Sequence, residues 1–538
     1  MNATPTLAEL QSEHIVMELE CIDRMYLNAY VPRLTSPGGI AAYCRGYLGH
    51  RFASTHSVAP QTKAFVAAIG AFLKTEGLEL VRFRKRERKD NVMQRELRRF
   101  KKSGKTEGVV FVGVAQEKAR VPRTIRKHLD GGGTIPWIIY STAMVNMYYF
   151  YCYDQDFGPF FLKFCSYFPY PAKLCLNGHE FLKCQLQQRD VSFEALDNGL
   201  RACADVKAAQ RIADGLGAPR IDRFFRKWLA RLPHPYSAQD RAAGYRYELS
   251  IWQAEFSLTQ IWDRADHGRA FFEELIRENL DLGRPEQVQL IFTRKMQRQT
   301  VAAGHCRTRV ITAGVLPSLH VYYKHTHLKQ YYKEGRGLRT ETTINNTYDF
   351  GVGRRLMNLP ALRELGFAAN RRVLKVERLS HDAQIGAVAF AQLQKPAEVD
   401  GQHASALPFG QERVQALLTV LVMFCLQPDG FRNRQLRPLL AQLLGLSEAQ
   451  ISAGRMTYDL RRLRLHGLIA RIPHTQRYQL TDFGLKTALF YSRVYQRVLR
   501  PGLSQLCDPK TANSAPLAQA FAKFQKALDA YTDEKIAA

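Results

Sequence analysis

The 538-residue sequence lacks the features that mark secreted, zinc-ribbon and membrane-spanning proteins. Its ten cysteines include no Cys-x-x-Cys pair, and four of them fall in strand-like apolar runs, which predicts reduced thiols rather than a disulfide framework. The first residues are acidic and amphipathic, unlike a secretory signal. The longest apolar stretch, Ala416 to Leu426, is too short to span a bilayer. We therefore expect a cytoplasmic protein with no membrane partner.

The sequence also contains no motif that identifies a catalytic or nucleotide-binding site. A Walker-type loop, a Rossmann glycine fingerprint, an HExxH helix and a nucleophile elbow are all missing. There is no internal repeat and no long low-complexity tract. Function must therefore be inferred from charge and from weaker patterns.

Acidic residues are scarce relative to basic ones. The chain has 77 Lys and Arg against 49 Asp and Glu, which gives a formal net charge of +28. Such a surface needs counter-charge, and nucleic-acid phosphates supply it with an affinity that falls as salt rises. An anionic membrane surface and mere solubility are the alternatives. Because the charge lies within folded-looking segments, we favour DNA or structured RNA as the partner; no pattern indicates an oligomeric state.

Strand-like and helical patterns follow one another along the chain and predict an α+β fold of several domains with mixed or antiparallel sheets. The expected regions are a basic α/β region at 1–140, an aromatic-rich β-meander with a covering helix at 141–204, a helical region at 205–300, a β-hairpin and helix region at 301–395, a linker at 396–410, a C-terminal winged helix at 411–500 and a helical tail at 501–538.

The strongest single pattern follows the expected linker. Three helical segments, Gln411–Leu426, Asn433–Leu444 and Ser452–His466, precede a strand, a tight turn, a second strand and a helix capped by Thr481. The strings RMTYDLRRLRLHGLI and RYQLTDFG resemble the winged-helix domains of bacterial transcription regulators and replication proteins. The resemblance implies that the third helix reads a major groove and that the wing approaches phosphate; a protein-packing module is the alternative. The expected contact residues are Arg455, Thr457, Tyr458, Arg461, Arg462, Arg471 and Arg477.

A second basic element lies between Arg82 and Lys102, where eleven of twenty-one residues are Lys or Arg. The run opens as a strand, continues as a helix, and predicts a surface that tracks phosphates. The run contains two acids, Glu87 and Asp90, and a third acid, Glu117, follows it in the chain. This arrangement is weakly similar to the sites of metal-dependent nucleases, in which acids hold Mg²⁺. We favour the alternative, in which these acids balance neighbouring arginines. The expected phosphate-binding residues are Arg84, Lys85, Arg86, Arg88, Lys89, Arg98 and Arg99.

The segment KQYYKEGRGLRTETTINN predicts a β-hairpin with one polar face. Cations on that face can neutralise a phosphodiester, and a carboxylate can hold a metal. The candidate catalytic residues are Lys329, Lys333, Arg339 and Glu341, and the candidate ligands of a Mg²⁺ cofactor are Glu341 and Glu117. A cross-strand ladder of salt bridges is the alternative that we favour.

Two resemblances extend beyond single motifs. The strings YKEG and LRTETTIN, the earlier DFGPFFLKFCSYFPYPAKLCLNGHE and the C-terminal winged helix resemble a widespread set of uncharacterised basic bacterial proteins, a likeness that implies no activity. The Lys-x-Tyr-x-Lys and Leu-Arg-x-Glu strings are similar, more weakly, to rolling-circle replication initiators. Those enzymes use a His-apolar-His metal pair, whereas His325-Thr326-His327 has a polar middle residue.

Twelve aromatic residues lie between Tyr148 and Tyr170. We interpret them as packed core, with a base-stacking platform as the alternative.

Taken together, the patterns predict a nucleic-acid-binding protein of a mobile-element, defence or ribonucleoprotein type. A metal-dependent endonuclease or nicking enzyme and a DNA-binding transcriptional repressor are the alternatives.

Overall fold

The computed structural model describes residues 13–83, 89–128, 132–279, 306–313, 316–333, 337–381, 385–425 and 429–495, with isolated positions at 130, 499 and within 519–530. The strands are β1 (Ile15–Tyr30), β2 (Leu80–Arg82), β3 (Gly108–His128), β4 (Thr134–Asp154), β5 (Gly158–Cys165), β6 (Ala172–Asn177), β7 (Phe193–Leu196), β8 (Gly199–Cys203), β9 (Glu248–Trp262), β10 (Cys306–Ala313), β11 (Leu316–Tyr323), β12 (Thr326–Lys333), β13 (Gly337–Ile344), β14 (Ala397–Val399), β15 (Gln402–Ala404), β16 (Ile469–Arg471) and β17 (Tyr478–Leu480).

The α-helices are α1 (Pro37–Ala42), α2 (Ala59–Glu76), α3 (Lys89–Lys102), α4 (Gly178–Gln187), α5 (Val206–Asp214), α6 (Ala218–Arg231), α7 (Ala238–Ala242), α8 (Ala265–Asn279), α9 (Leu359–His381), α10 (Ala387–Leu393), α11 (Glu412–Met423), α12 (Asn433–Leu443), α13 (Ala453–Leu465) and α14 (Asp482–Val494). Among the described residues, none of these helices is both long enough and apolar enough to cross a membrane.

Eleven strands of the described chain form one mixed sheet, in the order β10-β11-β12-β13-β9-β1-β6-β5-β4-β3-β2. The parallel pair is β2–β3, and the other described neighbours are antiparallel. The long central strands β1 and β9 pair from Ile15 opposite Trp262 to Tyr30 opposite Glu248. The predicted α+β class with a mixed sheet is confirmed.

The sequence of β1 shows why it lies at the centre of the sheet. Met17, Leu19 and Cys21 are buried at alternate positions, as expected of a strand with one core face. Ile22 interrupts this pattern, and a β-bulge between Ile22 and Met25 separates two registers with β9. Asp23 continues the buried series of Cys21 and Met25, so its charged side chain lies in the interior, where it is 2% exposed.

Helices cover the sheet, and α9 packs against β9. The rings of Phe367 in α9 and Phe256 in β9 pack edge to face with their centroids 5.6 Å apart. A Cβ atom at Gly366 would overlap the Phe256 side chain. Glycine is therefore required at this crossing.

The expected regions do not correspond to separate sheets, because strands from 1–140, 141–204, 205–300 and 301–395 all join the large one. The expectation of a helical region at 205–300 is wrong in part. Helices α5 to α7 occur there, but Glu248–Trp262 is a 15-residue strand. Its burial on both faces removes the simple alternation by which a half-exposed strand is recognised.

The C-terminal elements follow the predicted order, from α11 through α13 to the β16–β17 hairpin and α14. Ser452 and Thr481 cap α13 and α14, each accepting a hydrogen bond from a backbone N–H in the first turn. Residues 396–410, which we interpreted as a linker, contain the β14–β15 hairpin, and Leu407 lies in the core of these C-terminal helices. This segment is therefore packed against the unit that follows it.

Candidate nucleic-acid interface

Helix α3 carries the described part of the first predicted basic surface. Val92 and Phe100 of this helix are buried, whereas Arg98 and Arg99 are exposed. The buried side lies over Tyr149 and Tyr151, so the tyrosine face of the aromatic meander belongs to a core. The exposed cations on this helix are Arg95, Arg98, Arg99, Lys101 and Lys102.

The remaining members of that surface divide into two groups. Arg84, Lys85, Arg86 and Arg88 lie outside the described residues. Lys89 points inward, with its Nζ 2.7 Å from the Tyr149 hydroxyl and 3.2 Å from Glu117 Oε1. We therefore correct its predicted phosphate-binding role, because the half-buried Glu117 carboxylate and the Tyr149 phenol already bind its ammonium group.

The segment RTIRKHLDGGGTIPW, with its three consecutive glycines, favours a flexible hairpin loop. Most of it belongs instead to a long two-stranded arm, because β3 extends to His128 and β4 begins at Thr134. β5 pairs with β4 from Met147 to Asp154, and the described residues farther out in β3 and β4 pair with each other as far as His128 and Thr134. The segment 118–128 contains no Asp or Glu. Five cations on this part of β3 are exposed, namely Lys118, Arg120, Arg123, Arg126 and Lys127.

Aromatic residues accompany these cations on the arm. The Nζ of Lys127 lies 4.8 Å from the centre of the Trp137 ring, and Trp137 is 44% exposed. The guanidinium of Arg120 lies 4.6 Å from the ring centre of Tyr140. The Tyr140 hydroxyl donates a hydrogen bond to the Leu34 carbonyl at 3.1 Å, which fixes the arm against the body of the protein. A phosphate backbone could contact the cations while a base stacks on the indole.

The third basic surface is the exposed side of α13. Arg455, Thr457, Tyr458 and Arg461 are exposed as predicted, and Arg464 extends the same side by one turn. The Thr457 hydroxyl accepts a hydrogen bond from Asn433 Nδ2 of α12 at 2.9 Å. The Tyr458 hydroxyl lies 3.1 Å from Ser405 Oγ, and Arg464 donates to Gln402 Oε1 at 3.1 Å. Arg455 and Arg461 are therefore the cations of this side that are best placed to contact a ligand.

Two predicted contact residues of this unit are engaged inside the protein, and we correct their assignment. Arg462 is 5% exposed, and its guanidinium donates to the backbone carbonyls of Ser405 and Ala406. Arg477 donates to the Gly430 carbonyl at 2.6 Å and pairs with Asp429 at 2.7 Å. Arg471, by contrast, is exposed at the start of the β16–β17 turn.

The predicted catalytic hairpin is present as β12 and β13. Its register places Lys329 opposite Glu341 and Tyr331 opposite Arg339. The Nζ of Lys329 lies 3.9 Å from the centre of the Tyr331 ring, and Lys333 is half-buried opposite Gly337. The turn residues 334–336 lie outside the described residues.

Arg339 and Glu341 belong to a buried ion cluster, which we define as Asp23, His179, Ser257, Arg339 and Glu341. Arg339 is completely buried; its Nη2 lies 2.6 Å from Asp23 Oδ2, and its Nε lies 2.7 Å from Glu341 Oε1. His179 Nε2 lies 2.7 Å from Arg339 Nη2 and 2.9 Å from Ser257 Oγ. Asp23 and His179 were not connected to this hairpin because they lie 316 and 160 residues before Arg339, and no local pattern links residues that far apart.

Burial and Arg339 determine the charge states in this cluster. Burial raises the pKa of Asp23, but the Arg339 charge and the Asn198 hydrogen bond outweigh it and hold that pKa well below its usual range. Burial and Arg339 lower the pKa of His179 to about 3, so its imidazole is neutral. Burial raises the pKa of Glu341, which Arg339 only partly opposes. The arrangement is a neutralised ion network, and we correct the catalytic assignment of Arg339 because the cluster encloses it.

The two candidate magnesium ligands do not share a site. Glu341 in β13 and Glu117 in β3 are separated by six strand-to-strand steps, or roughly 29 Å at about 4.8 Å per step. Glu117 pairs with Lys163 at 2.5 Å. Burial raises the pKa of Glu117, but hydrogen bonds from Lys163 and Tyr149 outweigh this and lower it to about 2. Each carboxylate is thus neutralised by the protein's own cations.

Comparison with family models, with curated proteins and with solved structures gave no match for this chain. The surfaces described above are therefore the basis on which a function can be inferred. The described acids at the predicted sites are paired or enclosed, whereas the cations of α3, the β3–β4 arm and α13 are exposed.

Proposed function

We propose that the protein binds nucleic acid through the outer face of α3, the β3–β4 arm and the exposed side of α13. The arm carries the proposal, because it presents five exposed cations without an acid between Lys118 and His128. A two-stranded ribbon has dimensions that a DNA major groove accepts. Cations along it would release counterions from the phosphates that they contact.

The C-terminal elements support a second contact of a different kind. We infer that 411–495 is a winged-helix unit in which α12 and α13 form the helix-turn-helix and β16–β17 forms the wing. Arg455, Tyr458 and Arg461 would then face base edges or phosphate, and Arg471 would approach the backbone. DNA suits this unit, and the exposed arm accepts either DNA or structured RNA.

We do not extend the proposal to strand cleavage. Metal-assisted phosphodiester chemistry uses carboxylates that can turn to an ion. Glu341 pairs instead with Arg339 and accepts a hydrogen bond from the Tyr331 hydroxyl at 2.8 Å. A sequence-specific repressor would need only the winged-helix unit to bind DNA. That alternative gives the exposed cations of the arm no role.

The test compares two triple variants of the full chain by fluorescence anisotropy with a labelled DNA duplex and a labelled RNA. In the arm variant, Arg123, Arg126 and Lys127 become Ser. In the control, Lys63, Lys74 and Lys207, which are exposed on α2 and α5, become Ser and remove the same charge.

We expect the arm variant to reduce the slope of log K against log salt by about 3 units on DNA, from about 0.9 per lost phosphate contact. The control should stay close to the wild type, because its lysines belong to α2 and α5 and are not part of the proposed surfaces. Equal losses in the two variants would show that only net charge matters and would refute the arm as a binding element.

A further inference from the structure

A group of two histidines and one aspartate lies where β1 begins and β9 ends. The β1–β9 register pairs Ile15 with Trp262, so His14 and Asp263 are the next neighbours along the same ladder. The Asp263 backbone N–H donates to the His14 carbonyl at 2.9 Å. His267 follows Asp263 by one turn at the start of α8, which brings its ring to the same point.

The side chains converge on the aspartate. Nδ1 of His14 lies 3.0 Å from Asp263 Oδ2, and Nδ1 of His267 lies 2.9 Å from Oδ1. The two imidazole rings lie 3.8 Å apart, centre to centre. One ligand atom from each residue falls within 4.8 Å of the other two. These separations are those of donor atoms around one small cation, with metal–ligand bonds near 2 Å.

The surroundings hold the group in place and leave it open to water. The Tyr332 hydroxyl donates to the Ala265 carbonyl at 3.3 Å, and a Cβ atom at Gly268 would overlap that ring, so the first turn of α8 is seated tightly on β12. The three side chains are between 28% and 34% exposed. Solvent can therefore complete the coordination of an ion that these residues bind.

The geometry points to a binding site for a divalent transition-metal ion of the zinc class, formed by His14, Asp263 and His267. Two imidazole nitrogens and one carboxylate are a ligand set that suits zinc and its neighbours rather than magnesium or calcium. The ion would replace the two imidazole protons that now bind the aspartate, and water would occupy the remaining position. It would fasten the start of β1 to the junction of β9 and α8. This inference is independent of the proposed nucleic-acid function.

The test uses the full chain, stripped with a chelator and titrated with Zn²⁺ against a competing indicator. The variants are Asp263→Asn and His267→Gln. His325→Gln is the matched control, because His325 is also exposed and pairs with a single acid, Asp349, at 3.1 Å. We expect one zinc ion bound per chain, with affinity lowered more than about 100-fold in both variants, since even second-sphere changes cost 10–100-fold. The control should keep the wild-type affinity.

A spectrum of the wild type keeps the test decisive if a variant does not fold. With Co²⁺ as the probe, the nitrogen and oxygen ligands should give visible d–d bands without the near-ultraviolet charge transfer of a cysteine thiolate. A thiolate band, zinc retained by both variants, or no zinc bound by the wild type would each overturn the inference.

Discussion

Replacing Arg339 by Met would test the buried ion cluster most severely. The substitution keeps a long side chain but removes the charge that faces both Asp23 and Glu341. Asp23 is 2% exposed and Glu341 is 9% exposed, so water cannot replace the lost partner. Removing one member of a buried ion pair typically costs about 3–5 kcal/mol, because the remaining charge stays desolvated. We expect a loss of stability in this range.

Arg371→Met is the matched control for that experiment. Arg371 also bonds a carboxylate, Glu20, across the fold, but its side chain is 51% exposed, so its loss should cost about 1 kcal/mol or less. Urea unfolding followed by tryptophan fluorescence measures both free energies. If Arg339→Met costs no more than Arg371→Met, the cluster does not behave as a buried ion network and our reasoning fails.

The pH dependence of the same pair of proteins gives a second readout. The pKa of Asp23 is lower in the folded protein than in the unfolded chain. Its contribution is therefore present above the unfolded carboxyl pKa, near 3.9, and is lost as the pH falls below it. In the Arg339 variant this contribution is absent. The difference in stability between the two proteins should shrink as the solution becomes acidic.

Three further predictions concern single side chains. Burial raises the pKa of Glu377 to about 8, although Gln330 donates a hydrogen bond to it. The folded protein therefore keeps a proton that the unfolded chain loses above about pH 4. As a result, the free energy of unfolding falls as the pH rises from about 4 to 8. Glu377→Gln should remove that decline and be more stable than the wild type by about 1–3 kcal/mol at pH 8 in urea unfolding. Arg462→Ala should destabilise the fold by about 1–3 kcal/mol by leaving carbonyls unpaired, whereas Arg461→Ala should weaken DNA binding without lowering the thermal midpoint. Glu341→Gln keeps an acceptor for Tyr331 and imitates the protonated carboxyl that the raised pKa of Glu341 favours; we expect unchanged DNA affinity by anisotropy and, in urea unfolding at about pH 7, no loss of stability.

Local patterns were enough to predict the C-terminal elements and the β12–β13 hairpin. Helix caps such as Ser452 act on the next three residues, and strand alternation determines which of Lys329 to Lys333 share a face. Local patterns could not show that Arg462 is buried. Its guanidinium contacts carbonyls near residue 405, in a segment whose composition is typical of a linker.

The buried cluster and the candidate metal group depend on long-range pairing instead. Asp23 meets Arg339 because it lies on the buried side of β1 and because β9 lies between their strands. His14 meets His267 through the register of two strands that are far apart in sequence. Neither contact leaves a motif, since no spacing within one segment encodes it. The arm was missed for a simpler reason: three consecutive glycines favoured a flexible loop over the whole segment, whereas β3 continues to His128 and β4 begins at Thr134.

The salt dependence of nucleic-acid binding by the full wild-type chain tests the central claim most directly. Association constants for one DNA duplex and one RNA would be measured by anisotropy over a series of sodium chloride concentrations. Five arm cations on phosphate predict a slope of log K against log salt on DNA of about −4.5 or steeper, at about 0.9 per contact. A chain that binds neither polymer at low salt, or binds with a slope near zero, would contradict the proposal.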